Sequence, residues 1–275
     1  MKFNRILLIG DKGQLGKEFS EYFNLNNIEF IGYDIDKLDV SNFNSLKDIF
    51  SSYHPDLVIN CSAYTLVDNA EKDYESAYQV NAIGAKYLAL LCNEFNSFLV
   101  HYSTDYVFDG KNNITYTEAK KPNPINNYGK TKLLGEEYIQ SILSNDLILR
   151  LSWVYGNGSQ NFIYKFRDWA SKNNSLNISD DETSVPTSTK FVVENTIKSL
   201  ELGIIGLFHL VPNGYCSRYE WAEEIKKKFN IETEIKKISK SEFNLPAERP
   251  TFSALNSQKI QELLKVDFKN WKDYF

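Results

Sequence analysis

Two side chains four residues apart can do chemistry together in the run Tyr128-Gly129-Lys130-Thr131-Lys132. On a helix, that spacing sets Tyr128 and Lys132 on one face. A phenol has an ordinary pKa near 10 and is a slow acid at neutral pH. A neighbouring ammonium lowers that pKa and makes the phenol a usable proton donor. Such a pair is common by chance in a chain with 17 tyrosines, so its weight comes from what stands upstream. That is a glycine loop, Gly10-Asp11-Lys12-Gly13-Gln14-Leu15-Gly16, which follows the apolar run Ile6-Leu7-Leu8-Ile9 and opens a helical pattern. Glycines there allow a tight turn and close approach of backbone to a pyrophosphate, and the helix start offers free amides and partial positive charge. Gly10, Gly13, Gln14, Leu15 and Gly16 are therefore candidate cofactor-binding residues. The spacing is GxxGxxG rather than GxGxxG, which favours reductases that use tyrosine and lysine. The two motifs together predict a nicotinamide-dependent oxidoreductase.

Further candidates follow the ends of later apolar runs. Asp34 closes the second run, 18 residues beyond Gly16. An acid there bonds the adenosine ribose hydroxyls and repels a 2′-phosphate, which favours NADH. Lys12 and Lys37 partly offset that preference and leave NADPH open. The plain alternative is a surface acid at a strand end. Asp39 and Val40 are expected near the adenine. Cys61, Ser62 and Ala63 follow the third run, where small residues let backbone pass close to the cofactor. Ser103 and Thr104 follow the fourth, at the carboxyl end of a central strand, where open α/β sheets bind ligands. Thr104 is the chosen hydrogen-bond partner for a substrate carbonyl. Asn81 lies in a helical pattern that its propensity disfavours, so it reads equally as a buried hydrogen-bonding residue or a solvated one. His54, His101 and His209 share no ligand spacing. His101 and His209 sit in strand-like runs and read as core residues, and no metal site is predicted.

The elements that must hold these residues alternate in type. Short apolar runs at 5–9, 29–33, 57–60, 98–102 and 147–151 read as strands buried on both faces. Helical patterns at 16–23, 44–52, 73–95 and 128–143 lie between them. This rhythm predicts an α/β fold with a doubly wound parallel sheet. Beyond residue 151 the rhythm breaks. Residues 156–159 and 180–182 read as loops, 172–182 as a polar stretch without pattern, and 162–171 as a helix. A helix at 187–202 and a strand at 206–210 return to the sheet. The tail contains helices at 219–229 and 257–264 and a short run at 231–238. Residues 1–151, with 187–210 returning, are expected to form the dinucleotide-binding domain, and 152–275 a smaller lobe over the carboxyl edge of the sheet.

Composition narrows the partners. The chain has 275 residues, 42% hydrophobic, with a net charge of −5. No basic block suggests nucleic-acid binding. The three cysteines, Cys61, Cys92 and Cys216, form no CxxC, so a disulfide framework or structural zinc is not expected. The apolar start is too short for a signal peptide, and no run approaches the roughly 20 apolar residues of a membrane span. A cytoplasmic protein without membrane or nucleic-acid partners is expected.

The stretches GDKGQLG (10–16), NCSAYTLVDNAE (60–71), STDYVFDG (103–110), YGKTKLLGE (128–136), RLSWVYG (150–156), SVPTST (184–189) and ERPTFSAL (248–255) cover nearly the whole chain. Through them the chain resembles the extended short-chain dehydrogenase/reductases, and within them the dTDP-4-dehydrorhamnose reductase family. The resemblance implies a Rossmann-type sheet with a C-terminal substrate-binding lobe, NADH or NADPH as cofactor, and reduction of the C4 ketone of a dTDP-4-keto-6-deoxy-L-hexose to dTDP-L-rhamnose. It implies that Tyr128 protonates O4, Thr104 hydrogen-bonds that oxygen, and Lys132 tunes Tyr128 and grips the nicotinamide ribose. It also implies that Val67, Tyr106, Trp153 and Asn161 line the sugar-nucleotide pocket and that Arg249 reaches the diphosphate. Some members form a magnesium-bridged dimer through acidic residues, which do not map onto this chain; monomer and homodimer both stay open. The chain departs from the family pattern at Ser152 and Val185. Two other readings remain: a 4-ketoreductase of another nucleotide-deoxysugar, separated by the lobe segments 152–186 and 241–255, and a non-catalytic nucleotide-binding regulatory subunit, opposed by the joint presence of Thr104, Tyr128 and Lys132.

Overall fold

Short apolar runs pair side by side into one parallel six-stranded sheet. The computed structural model describes residues 3–275. In chain order the first half runs β1 (Ile6–Ile9), α1 (Gln14–Leu25), β2 (Phe30–Tyr33), α2 (Phe43–Tyr53), β3 (Leu57–Asn60), α3 (Val67–Lys72), α4 (Tyr74–Tyr78), a π-helical turn (Gln79–Ile83), α5 (Gly84–Phe95), β4 (Phe98–Thr104), α6 (Asn127–Ile142) and β5 (Asp146–Leu151). Then come β6 (Val154–Tyr155), α7 (Phe162–Lys172), β7 (Ser175–Ser179), β8 (Thr183–Ser184), β9 (Thr187–Ser188), α8 (Thr189–Glu201), β10 (Gly206–His209), β11 (Cys216–Ser217), α9 (Arg218–Phe229), β12 (Glu234–Ile238) and α10 (Gln258–Leu264).

The sheet order is β10-β5-β4-β3-β1-β2. Alternate residues of a strand face opposite sides, and this partitions the core. Ile6 and Leu8 join Phe19, Phe23, Phe191 and Val192 under α1 and α8. Leu7 and Ile9 join Leu46, Phe50, Leu88 and Ile139 under α2, α5 and α6. Each face is covered by helices, so β1, β3, β4 and β5 are wholly buried. Edge strand β2 is only half-buried, against the expectation for 29–33, because β1 is its sole neighbour.

Two segments differ from their sequence patterns. The helix expected over 73–95 is preceded by α3, restarts at Asp73, whose side chain caps α4 at the Ser76 amide (3.1 Å), and carries a π turn. A π turn adds one residue to the helical repeat and redirects side chains. Here it carries Asn81, 1% exposed, whose amide bonds the backbone of Tyr64 and the hydroxyl of Thr131. The second difference lies in the polar stretch 172–182. Its residues Ser175–Ser179 form β7, paired in parallel with β12. Leu176 and Ile178 alternate with polar neighbours and turn toward the lobe core, but two apolar residues in a five-residue strand are too short a pattern to stand out from a polar stretch.

The short pairs β7–β12, β8–β11 and β6–β9 belong to a smaller lobe with its own core of Phe166, Val185, Trp221, Ile225, Leu255 and Trp271. His101 and His209 are buried, as their strand positions predict.

Candidate active site

The carboxyl ends of β1, β3 and β4 lie side by side, because these strands are neighbours in the sheet. At the end of β1, Gly10 takes a φ of 78° and its amide bonds the Tyr33 carbonyl (2.7 Å). A Cβ on Gly10 would lie 2.8 Å from the Ser62 amide nitrogen, and one on Gly16 only 2.0 Å from the Gly10 carbonyl oxygen. Both positions therefore demand glycine. Helix α1 starts two residues before the expected Gly16, which puts Gln14 and Leu15 in its first turn. Its N-cap, Gly13, has no side chain to satisfy that turn, leaving amides and partial positive charge for an anion.

Around the end of β2, Asp34 accepts the Lys12 amide (2.9 Å) and the Ile35 amide (2.7 Å). The Lys12 ammonium pairs with Asp36 instead. Asp11 packs over Gly32, and its Oδ1 is buried without a partner. Burial, then Asp34, pushes the Asp11 carboxyl up. Three acids, Asp11, Asp34 and Asp36, thus meet at this corner, with Lys12 among them. Asp39 is exposed and bonds the Ser41 amide and hydroxyl. Val40 is buried, with a methyl against Gly84, so only the backbone of this segment is free to face an adenine. After β3, the Cys61 amide bonds Ile9 (2.8 Å), and Ser62 donates its amide and hydroxyl to Asn60; Ala63 follows, half-buried. Burial pushes the Cys61 thiol up, away from reactivity. The uncapped helix start, the glycine-only turn and the acid corner together fit a nicotinamide dinucleotide.

The start of α6 is clamped from three directions. Asn126 caps it at the Gly129 amide (2.8 Å) and donates to the Glu248 carbonyl (2.8 Å), while Glu71 accepts the Asn127 amide (2.7 Å). A Cβ on Gly129 would stand 2.1 Å from the Tyr106 carbonyl oxygen, so the helix lies directly on the turn that follows Thr104. The Tyr106 and Tyr128 rings meet edge to face at 5.9 Å. Burial pushes the Tyr128 phenol up to about 12, and the Thr104 hydroxyl beside it tempers the rise.

Lys132 is 2% exposed and donates to the Tyr102 carbonyl (2.6 Å), with His101 Nε2 at 3.4 Å. Lys132 is engaged with the Tyr102 carbonyl, and burial, not this ammonium, dominates at Tyr128. Burial also pulls Lys132 itself down to about 8, against the pull of Glu136. The hydrogen bonds around His101 act in the same direction. Asn60 Oδ1 accepts from Ser62, so its amide nitrogen faces His101 Nδ1 (3.1 Å), which must accept. The imidazole proton then sits on Nε2 and points at the lysine, which disfavours the ammonium form.

On the substrate side, the residues implied by resemblance are already occupied in different ways. Val67 opens α3, half-buried. Arg249 forms a forked pair with Asp68 (2.9 and 2.6 Å) and donates to the Ala247 carbonyl. Trp153 adopts a φ of 38°, a strained value for an aromatic residue. It stacks on Trp221 (5.6 Å, 8°), with the Arg218 guanidinium 3.6 Å above its ring. Asn161 caps α7 at Tyr164 and spends its amide protons on Gln14, Gly156 and Gly158. It therefore ties the glycine loop to the lobe. Glu182, Asp105, Arg218 and Arg249 all act on the Tyr106 phenol, which burial pushes up. Sequence reasoning missed Asp105, Glu182 and Arg218, whose partners lie far away in the chain. Among the described residues no cluster of His, Cys, Asp or Glu is placed to hold a metal, and no helix is long and apolar enough to cross a membrane.

The chain matches the RmlD substrate binding domain over residues 4–275. It is 36% identical to the spore coat polysaccharide biosynthesis protein SpsK of Bacillus subtilis over 269 residues, 98% of this chain and 94% of that protein. It is 31% identical to the dTDP-4-dehydrorhamnose reductase of Escherichia coli over 283 residues, 97% of this chain and 94% of the relative. The crystal structure of the dTDP-4-dehydrorhamnose reductase of Bacillus anthracis in complex with NADP superposes with a TM-score of 0.94 at 30% identity, covering 98% of this chain and 96% of that one. A match along almost the full length, in sequence and in fold alike, shows that the chain belongs to the family of the RmlD substrate binding domain.

Proposed function

We propose that the protein reduces the C4 ketone of dTDP-4-dehydro-6-deoxy-L-mannose to dTDP-L-rhamnose, with NADH or NADPH as reductant. The observation that carries this reading is the placement of the Tyr128 phenol beside the Thr104 hydroxyl at the end of central strand β4, with Lys132 of the same helix bonded to the Tyr102 carbonyl of that strand. The relatives named as dTDP-4-dehydrorhamnose reductases support the substrate.

When bound, the nicotinamide supplies the hydride to C4. Gly10, Gly13, Gln14, Leu15 and Gly16 hold the pyrophosphate, Asp34 the adenosine ribose, and Cys61, Ser62 and Ala63 the flank of the cofactor. The backbone at Asp39 and Val40 meets the adenine. Tyr128 gives its proton to O4, and a phenol held near 12 is fully protonated for that task at neutral pH. Thr104 hydrogen-bonds the same oxygen. Lys132 leaves the Tyr102 carbonyl for the nicotinamide ribose and steadies the phenolate that remains. Arg249 exchanges Asp68 for the substrate diphosphate, which its planar fork fits. Val67, Tyr106, Trp153 and Asn161 wall the sugar-nucleotide pocket. The acid corner at Asp11, Asp34 and Asp36 favours NADH.

The test is oxidation of NADH and NADPH with enzymatically generated dTDP-4-keto-L-rhamnose. Substrate-dependent oxidation, faster with NADH, is the expected result. Cofactor binding without oxidation, followed by turnover of another dTDP-4-keto-deoxyhexose, would move the assignment to that sugar.

A further inference from the structure

The geometry points to Asp105 as a positioning residue that latches the smaller lobe to Thr104, so that the O4 site is complete only when the lobe is seated. This rests on the reading of Thr104 as the partner of O4. Asp105 is 2% exposed and has no ion-pair partner among the described residues. Its carboxylate is met instead by three hydroxyls. Oδ2 accepts from Ser184 (2.8 Å) and from Ser253, and Oδ1 accepts from Thr104 at a longer 3.2 Å. Ser184 and Ser253 lie 79 and 148 residues away. They belong to one unit, because the Ser253 amide bonds the Thr183 carbonyl (2.9 Å) and the Thr183 amide bonds Thr251 (2.8 Å). That unit continues through β8 and β11 into α9, which carries Arg218.

The unequal bonds divide the work. An O–H···O distance of 3.2 Å is weak, whereas 2.8 Å is strong. Thr104 Oγ1 also accepts the Tyr106 amide (3.1 Å), so its own proton is the one directed at Asp105. That proton can be redirected to a substrate oxygen while the two serines keep the lobe in place. A buried carboxylate without a counter-charge is costly, and packing alone does not call for one here. The titratable groups facing it are the phenols of Tyr106 and Tyr128, with Glu182, Arg218 and Arg249 across Tyr106.

The experiment compares D105N and the double variant S184A/S253A with the full-length wild type, measuring kcat, KM and NADH affinity between about pH 5 and 9. In the wild type, kcat falls as pH drops through about 6, where the buried carboxyl gains its proton. D105N is expected to lose about 10- to 100-fold in kcat, with NADH affinity unchanged and that acid limb gone. S184A/S253A leaves every charged group in place, yet moves the acid limb to higher pH, because two donors that hold the carboxyl down are removed. Unchanged kcat and an unmoved acid limb in both variants would overturn the latch. Should D105N not fold, the double variant decides alone. If the wild type turns over no 4-keto-sugar, the proposed activity falls, and amide hydrogen exchange then decides the latch separately. Faster exchange at 183–185 and 251–253 in either variant upholds it; unchanged exchange overturns it.

Discussion

In the proposed mechanism Tyr128 keeps its proton until the substrate takes it. Its phenol stands near 12 because it is buried, and the Thr104 hydroxyl beside it only tempers that rise. Tyr128→Phe removes only the donated proton, so kcat is expected to fall about 100- to 10,000-fold with NADH affinity unchanged, checked by steady-state kinetics and fluorescence titration. Near-normal kcat would remove Tyr128 from the mechanism. Lys132 makes a separate, thermodynamic prediction. Its folded pKa of about 8 lies below the unfolded value near 10.5. The unfolded chain therefore binds more protons between those values, and wild-type stability rises with pH across that window. Lys132→Met has no such gain. Its Tm relative to wild type is expected to be most favourable at pH 7 and to drop as pH rises through 8 to 10, with about 3 kcal/mol as the upper bound of the change. A pH-independent Tm difference would show that burial leaves this lysine alone.

At the scale of elements, α6 is placed by absences of side chain as much as by contacts. Gly129 lets it lie on the Tyr106 carbonyl, and Gly135 lets it approach the Asn81 carbonyl, where a Cβ would come within 2.3 Å. Asn81, turned inward by the π turn, bonds Thr131 on the same helix. Gly129→Ala forces the backbone at Tyr128 away from Thr104. A displacement of about 1 Å costs about 100-fold in rate, so a collapse of kcat with retained NADH binding is expected. A fully active Gly129→Ala enzyme would mean that this close approach does not set the position of the phenol.

At the scale of the molecule, the smaller lobe is tied to the sheet domain by polar links around the site. Asn161 reaches Gln14, Arg249 reaches Asp68, and Ser184 and Ser253 reach Asp105. The Asp68–Arg249 fork is the one link that the proposed mechanism requires to open. The Asp68 carboxyl is held below its ordinary value, chiefly by its hydrogen bond from Arg249. Arg249→Met is expected to raise the substrate KM about 10- to 100-fold, the worth of charge-assisted hydrogen bonds, with NADH affinity unchanged. A KM that stays put would leave the pair a purely structural clasp.

The strands of the main sheet, most helices, the glycine loop and the positions of Thr104 at the end of β4 and of Tyr128 and Lys132 on α6 were legible in the chain itself. Their signals are local: runs of four to six apolar residues, helical periodicity, and motifs spaced within one element. Tertiary structure alone decided the rest. The strand β7 was missed because its alternation amounts to Leu176 and Ile178 alone, within a polar stretch, and the pairing with β12 that makes it a strand lies far along the chain. Asn81 was ambiguous because only the π turn settles which way it faces. The parking of Lys132 on Tyr102, the fork from Asp68 to Arg249 and the three hydroxyls on Asp105 join residues 30 to 181 positions apart or cross from one element to another. Hydrogen-bond partners and burial set those pKa values, and neither exists until the chain has folded.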